Sequence, residues 1–192
     1  LTELGLTYES IYLDFGMEEQ KASPNIDLNP NGRIPTIIDH SNDDFVLWES
    51  NAILAYLADK YDTERKFSAS TEDDKYKQLQ WLLFQASGQG PYFGQAAWFR
   101  IPSAIERYQN KVELFLKVPD GELAKREWLI GGKYSVVDLS FITWTVGGTT
   151  RLAGPKYDAS KEVPHVHAWL QKMLGRPAIA KVDAEKEALS QQ

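Results

Sequence analysis

The sequence predicts two segments of different class, an α/β segment over residues 1–65 and an all-helical segment over residues 66–192. Three observations carry this. Two β-rich runs, Ile37-Ile38 and Phe45-Val46-Leu47-Trp48, enclose Asp39-His40-Ser41-Asn42-Asp43-Asp44, which is turn chemistry, so they read as antiparallel strands. Directly afterwards the apolar period changes from strand to helix, with Ile53, Leu54, Leu57 and Tyr61 on one face, and from Asp73 onward strand signals vanish. Third, Ser135-Val136-Val137-Asp138 has the spacing of a capping box, with Asp in place of the commoner Glu.

Taken in order, Glu3-Leu4 reads as a helix end closed by Gly5, Tyr8 to Leu13 as a strand with alternating apolar positions, and Glu18 to Pro24 as irregular. At Pro30-Asn31-Gly32 a turn must form, because Pro presets φ and Asn and Gly tolerate positive φ; Pro35 then forces Ile34 into extended geometry at a strand edge. Charged and small residues from Asp62 to Thr71 replace the periodic pattern and mark the boundary. Beyond it, Leu79, Leu82, Leu83 and Ala86 recur at helical spacing, and Gly88, Gly90 and Pro91 interrupt the regular pattern. Behind the capping box, flanked by Tyr134 and Leu139 as a staple, Leu139, Phe141, Ile142 and Trp144 predict a helix buried on most sides, and Asp138 is read as structural rather than catalytic. A further helix begins near Pro164, carries the stripe Val166, Trp169, Leu170 and Met173, and is closed by Gly175 and Pro177, with a charged helical tail after Asp183.

With 192 residues, 43% of them hydrophobic and 12% aromatic, the chain can bury a sizeable core, which argues against disorder. No apolar run approaches the roughly 20 residues that span a bilayer and no signal-like opening is present, so a soluble, non-membrane protein is expected. The absence of cysteine excludes disulfides, protein thiolates and zinc-thiolate sites, and with it a cytoplasmic setting is expected. Through Arg65 there are 4 basic against 13 acidic residues, a charge of −9, while the remainder carries +3; the first segment would repel nucleic acid. His165 and His167, two apart on a helix, point away from each other and do not converge on a metal.

The densest chemistry lies at Asn29 to Pro35 and Trp48-Glu49-Ser50. Ser50 sits where a helix begins, its hydroxyl beside amides that no earlier turn satisfies, and such a terminus attracts an anion. Glu49, just outside, could hold an ammonium, and Ile34 offers its backbone at the strand edge. Together these read as a clamp for a small molecule with a carboxylate and a peptide-like backbone.

The strings Asn29-Pro30-Asn31-Gly32-Arg33-Ile34-Pro35 and Trp48-Glu49-Ser50-Asn51-Ala52-Ile53-Leu54 resemble the glutathione transferase superfamily, in the subfamily of the fungal nitrogen-catabolite regulator and its bacterial disulfide-reducing relatives. Glu3-Leu4-Gly5-Leu6, Trp81-Leu82-Leu83-Phe84-Gln85 with Gly94-Gln95, Ile105-Glu106-Arg107-Tyr108, and Leu129 to Asp138 match as well, so the resemblance spans nearly the whole chain.

The resemblance implies a thioredoxin-like N-terminal domain over residues 1–65, truncated so that its first strand is lacking in this chain, an all-helical C-terminal domain over residues 66–192, and glutathione in the cleft between them. By that likeness Ile34 pairs its main chain with the cysteinyl part of the tripeptide beside a cis Pro35, Glu49 and Ser50 receive the γ-glutamyl ammonium and carboxylate, Arg33 faces anionic parts of the ligand, and Gln20 lies near its glycyl end, with Lys21 an adjacent candidate. The family's sulfur-donating group falls ahead of Leu1, on the order of a strand and most of a helix. Phe84, Ser87 and Tyr92 are expected to line the electrophile site. The function implied is conjugation of glutathione, as substrate, to small apolar electrophiles in detoxification, with peroxide or disulfide reduction as variants, no metal and a homodimeric state. The alternative is a glutathione-binding regulator of the same fold acting on a transcription factor. The junction Arg100-Ile101-Pro102 is shorter than in relatives, as a missing loop would make it.

Overall fold

Residues 1–98 and 102–190 are described by the computed structural model; the shortened junction at Arg100-Ile101 lies outside them. The chain divides into two units, Leu1–Glu64 and Arg65–Gln192. In the first, the two β-rich runs form the hairpin their composition requires: β1 (Thr36–Asp39) pairs antiparallel with β2 (Phe45–Trp48), Thr36 opposite Trp48 and Asp39 opposite Phe45. A short helix α1 (Asn25–Leu28) precedes the hairpin, and α2 (Ser50–Tyr61) follows β2 with Ile53, Leu57 and Ala58 buried. At the start, Thr2–Leu4 makes a single 3₁₀ turn closed by Gly5, whose φ of 66° permits its N–H to reach the Thr2 carbonyl at 3.1 Å.

Tyr8 to Leu13 is not a strand. Among the described residues the sheet has two strands, and no backbone ladder reaches this segment. Alternation marks a side-chain pattern, whereas a strand exists only through pairing; with none, Ile11 is 80% and Tyr12 62% exposed.

The second unit is helical throughout the described residues. Helix α3 (Glu72–Phe84) starts at Thr71, whose hydroxyl accepts from the Asp74 amide at 3.1 Å, with three acidic residues in its first turn facing the helix dipole. The glycines and proline at 88 to 91 do not break the helix. Gln85–Gln89 forms a π-turn that runs on into α4 (Gly90–Trp98). Then follow α5 (Pro102–Leu123), α6 (Val136–Gly147), a second π-turn at Gly148–Leu152, α7 (Ala159–Glu162), α8 (Pro164–Leu174) and α9 (Pro177–Ser190). Pro177, expected to end a helix, stands first in the next one, where its missing N–H is no loss.

Helix α6 is central. Phe141 is 1% and Val137 0% exposed, and Trp169 and Met173 of α8 are buried with them. Asp138, itself 0% exposed, closes the capping box: its Oδ2 accepts from the Ser135 amide at 2.9 Å and hydroxyl at 2.7 Å. Its Oδ1 accepts from the Leu129 amide at 3.2 Å and Trp169 Nε1 at 3.0 Å, so one carboxylate ties the α5–α6 connection, α6 and α8 together. Burial pushes the Asp138 carboxyl up against the pull of these hydrogen bonds. At the start of α8, Asp120 of α5 supplies the cap that Val163 cannot, accepting from the amides of His165 and Val166 at 2.9 Å each.

The stripe expected on α3 is reassigned. Trp81 and Leu82 are buried, but Leu79 is 51% and Leu83 58% exposed, alongside Tyr76 at 68%. These three lie on one helical face away from the core of their own unit.

Replacing Asp138 by Ala leaves the Trp169 and Leu129 donors buried without acceptors. The loss expected in urea unfolding is about 3 kcal/mol or more, with Asp138→Asn intermediate because an amide oxygen can still accept.

Candidate functional site

Asn29 builds the loop that leads into the hairpin. It is 2% exposed; its Oδ1 accepts from the Asn31 amide at 3.0 Å, and its Nδ2 donates to the Arg33 carbonyl at 2.8 Å and Thr36 Oγ1 at 3.2 Å. The Gly32 amide closes the turn on the Asn29 carbonyl at 2.8 Å. Gly32 itself has φ 57°, and a Cβ there would lie 3.0 Å from the Gln20 carbonyl and 2.8 Å from Lys21 Cδ, so both backbone and space demand glycine. Lys21 spends its ammonium on the Asn31 carbonyl at 3.1 Å, whereas Gln20, half-buried beside this turn, has no partner for its buried Oε1 among the described residues.

The result is a fixed lip. Arg33 and Ile34 emerge from it exposed, Ile34 at 56%, joined to Pro35 by a cis peptide bond. Arg33 has no carboxylate partner among the described residues: Asp27 instead accepts from the Ser23 hydroxyl at 2.6 Å, and Asp39 is engaged elsewhere.

The register brings the second half alongside. With Thr36 opposite Trp48, Ile34-Pro35 entering β1 and Glu49-Ser50 leaving β2 lie at the same end of the hairpin. Glu49, not Ser50, occupies the N-cap of α2, with φ 74° and ψ 110°, a conformation rare for a residue with a side chain. Its carbonyl accepts from the Ile53 amide at 2.9 Å, its side chain makes no capping bond, and it and Ser50 are both exposed. Ser50 is therefore the first helical residue, its hydroxyl and N–H together at the positive end of a three-turn helix.

What holds this helix against the hairpin is Asp39. The hydroxyls of Tyr56 and Tyr61 on α2 both donate to its Oδ2 at 2.5 Å, Lys60 Nζ lies 3.7 Å away, and the Ser41 amide donates to Oδ1 at 3.0 Å. Asn42 donates to the Tyr56 hydroxyl at 3.1 Å, and Phe45 packs on the Tyr56 ring with centroids 5.2 Å apart. The two phenols hold the Asp39 carboxyl below its usual range, and Asp39 in return pushes Tyr61 up to about 12.

In the second unit, Phe84 stacks on Phe115 of α5 with centroids 4.2 Å apart and planes at 18°, and Tyr92, 36% exposed, leans on the same ring at 6.1 Å. Two of the three residues expected at an electrophile site thus meet at Phe115. Ser87 is exposed on the π-turn, and nothing places its side chain with them. Phe115 escapes a reading of the sequence because Leu114-Phe115-Leu116 looks like any helical core run. Asn29 carried a signal, an Asn before Pro at a turn, whereas Asp39 read only as turn chemistry. Among the described residues no group of His, Asp and Glu is arranged to hold a metal.

This geometry defines a class: a hairpin whose exposed entry lies beside the N-terminus of the following helix, on a chain continued by helices. The family model for the "Glutathione S-transferase, N-terminal domain" matches residues 1–59, and that for the "Glutathione S-transferase, C-terminal domain" residues 101–177. The chain belongs to the glutathione S-transferase family, a family of enzymes, with the thioredoxin-like N-terminal and helical C-terminal domains this implies. Glutathione S-transferase 2 of Schizosaccharomyces pombe is 47% identical over 195 residues, 93% of this chain and 85% of the relative. The crystal structure of glutathione transferase URE2P6 from Phanerochaete chrysosporium in complex with oxidized glutathione is 52% identical, with a TM-score of 0.92, covering 97% of this chain and 87% of that one. The nitrogen regulation fragment of the yeast prion protein Ure2p is 35% identical, with a TM-score of 0.86, covering 94% and 86%.

The raised Tyr61 phenol sets a pH dependence. Its hydrogen bond stabilises the fold fully below the unfolded phenol's pKa of about 10 and is lost as pH rises from there towards about 12. Thermal unfolding followed from pH 9 to pH 12 is expected to show a decline in the native protein over that window that is shallower in Tyr61→Phe.

Proposed function

We propose that the protein conjugates glutathione to small apolar electrophiles, with glutathione-dependent peroxide or disulfide reduction as variants of the same chemistry. The observation that carries the proposal is the hairpin register, which sets the Ile34 main chain and the Glu49-Ser50 helix start at one end of a single hairpin. An extended tripeptide fits such a pair of features: its cysteinyl backbone against Ile34 as an added strand, its γ-glutamyl carboxylate at the Ser50 hydroxyl and amide, its ammonium at Glu49. Exposed and unpaired Arg33 would answer the ligand's remaining carboxylate, with the buried Gln20 oxygen near its glycyl end.

The protein's contribution is positioning. The thiolate is the nucleophile; its sulfur forms a bond to the electrophilic carbon, the leaving group departs with its electron pair, and the thiol proton passes to solvent. Phe84, Ser87 and Tyr92 are the proposed electrophile side. We assign no thiol-activating residue; Tyr8 and Tyr12 lie on the extended N-terminal segment, and the Tyr8 hydroxyl is engaged with Thr2 Oγ1 at 2.9 Å.

We further propose residues 1–65 and 66–192 as the functional domains, a detoxifying role in the cytoplasm, and a homodimer. The exposed stripe Tyr76, Leu79 and Leu83 and the opposite charges of the two segments support the dimer. The regulatory reading is supported by the likeness to Ure2p; the higher identity to relatives named as transferases favours the enzyme.

A glutathione affinity column is expected to retain the native protein and to release Glu49→Ala/Ser50→Ala, the paired loss weakening binding by at least tenfold. Undiminished retention of the double variant overturns the clamp. Retention without turnover of a generic chloronitrobenzene would instead favour the regulator.

A further inference from the structure

The aromatic corner carries a charge that an apolar electrophile would not use. Lys111, on α5 one turn before Phe115, is half-buried, and its Nζ stands 5.7 Å from the centroid of the Tyr92 ring. No carboxylate pairs with it among the described residues, and with no protein acceptor there and no place among the buried unpartnered atoms, the ammonium is left open to solvent at the edge of the Tyr92 ring. Glu113, two residues on, points to another side of the helix; Glu106 and Arg107, about one turn earlier, are exposed to solvent.

The rings beside it are held in place. Phe115 is stacked by Phe84 on one face, and a Cβ at Gly88 would lie 2.1 Å from its Cζ, so the glycine in the π-turn is what allows the ring its position. Gln85 donates to Gln89 Oε1 at 3.2 Å, and Gln89 donates to Thr145 Oγ1 of α6 at 3.0 Å; this buried chain pins the turn. Tyr92, tilted 55° to Phe115, keeps part of its surface exposed.

We propose that Phe84, Tyr92, Phe115 and Lys111 form a seat for planar aromatic electrophiles bearing an anionic group, with Lys111 as the specificity-determining residue. The rings take the apolar plane by offset stacking, and the ammonium gains in the ligand's carboxylate or sulfonate the acceptor the protein does not provide. The same cation rejects aromatics with a positive substituent. This rests on the reading that the electrophile lies against Phe84 and Tyr92.

Two measurements on the full chain test it, each with Lys111→Met and Lys111→Arg. In the first, binding of the anionic aromatic 8-anilinonaphthalene-1-sulfonate is followed by its fluorescence. The dissociation constant is expected to rise five- to tenfold in Lys111→Met and to recover in Lys111→Arg. In the second, kcat/KM is compared for 4-chloro-3-nitrobenzoate and 4-chloro-3-nitrobenzamide, which differ in charge and not in ring; the benzoate-to-benzamide ratio is expected to fall by the same factor in Lys111→Met. Equal probe binding by all three proteins, no probe binding by the native one, or an equal fall for both electrophiles overturns the proposal. If the native protein converts neither electrophile, the conjugating reading fails, and the probe titration alone decides the role of Lys111.

Discussion

The pairing of Thr36 with Trp48 is the constraint on which the candidate site depends. Because side chains alternate along a strand, a slip of one residue would turn Asp39 away from Tyr56 and Tyr61 and carry Ile34 away from Ser50. A two-stranded hairpin has little stability of its own, so the register must be fixed from outside. Asp39 does this: one carboxylate at the end of β1 receives two phenols from α2, five residues apart on the helix, which ties the strand end to two turns of α2. Structure and site therefore share one hydrogen-bonded knot, and the backbone strain at Glu49 is borne between two elements that it cannot move apart.

The helical unit follows the same logic with different residues. Asp138 joins an incoming loop, a helix start and a tryptophan, and Asp120 caps a helix it does not belong to. In both, an acidic side chain satisfies donors that a helix terminus leaves without partners, which links elements distant in sequence without a disulfide. This suits a chain with no cysteine.

Much of this was legible in the sequence wherever local chemistry decides it. The turn at Asn31-Gly32, the hairpin, the start of α2 and the capping box at Ser135 are each set by a few neighbouring residues, and the structure has them all. Tyr8 to Leu13 misleads because alternation describes side chains, while strand formation depends on a partner elsewhere. The glycines at 88 and 90 mislead for the opposite reason: glycine read alone signals a break, but here Gly88 makes room for Phe115, a residue 27 positions away. Of the site, the short motifs at Ile34 and at Glu49-Ser50 were visible; the roles of Asn29, Asp39 and Phe115 arise from contacts across the fold that no spacing announces.

The two π-turns share a design. In each, a glycine lies against a phenyl ring, Gly88 against Phe115 and Gly148 against Phe93, whose ring a Cβ on Gly148 would approach to 2.6 Å. A π-turn accommodates one residue more than the α-helical path, so every side chain beyond it is rotated by about 100° relative to an uninterrupted helix. Removing a single residue from Gln85–Gln89 would return the path to an α-helix and leave Tyr92 and Phe93 facing as they do, whereas drawing the turn into a regular α-helix at constant length would swing both rings around the axis together, exchanging a wetted ring for a buried one. The extra residue is thus taken up inside the turn, and a chain one residue shorter there would present the same aromatic wall.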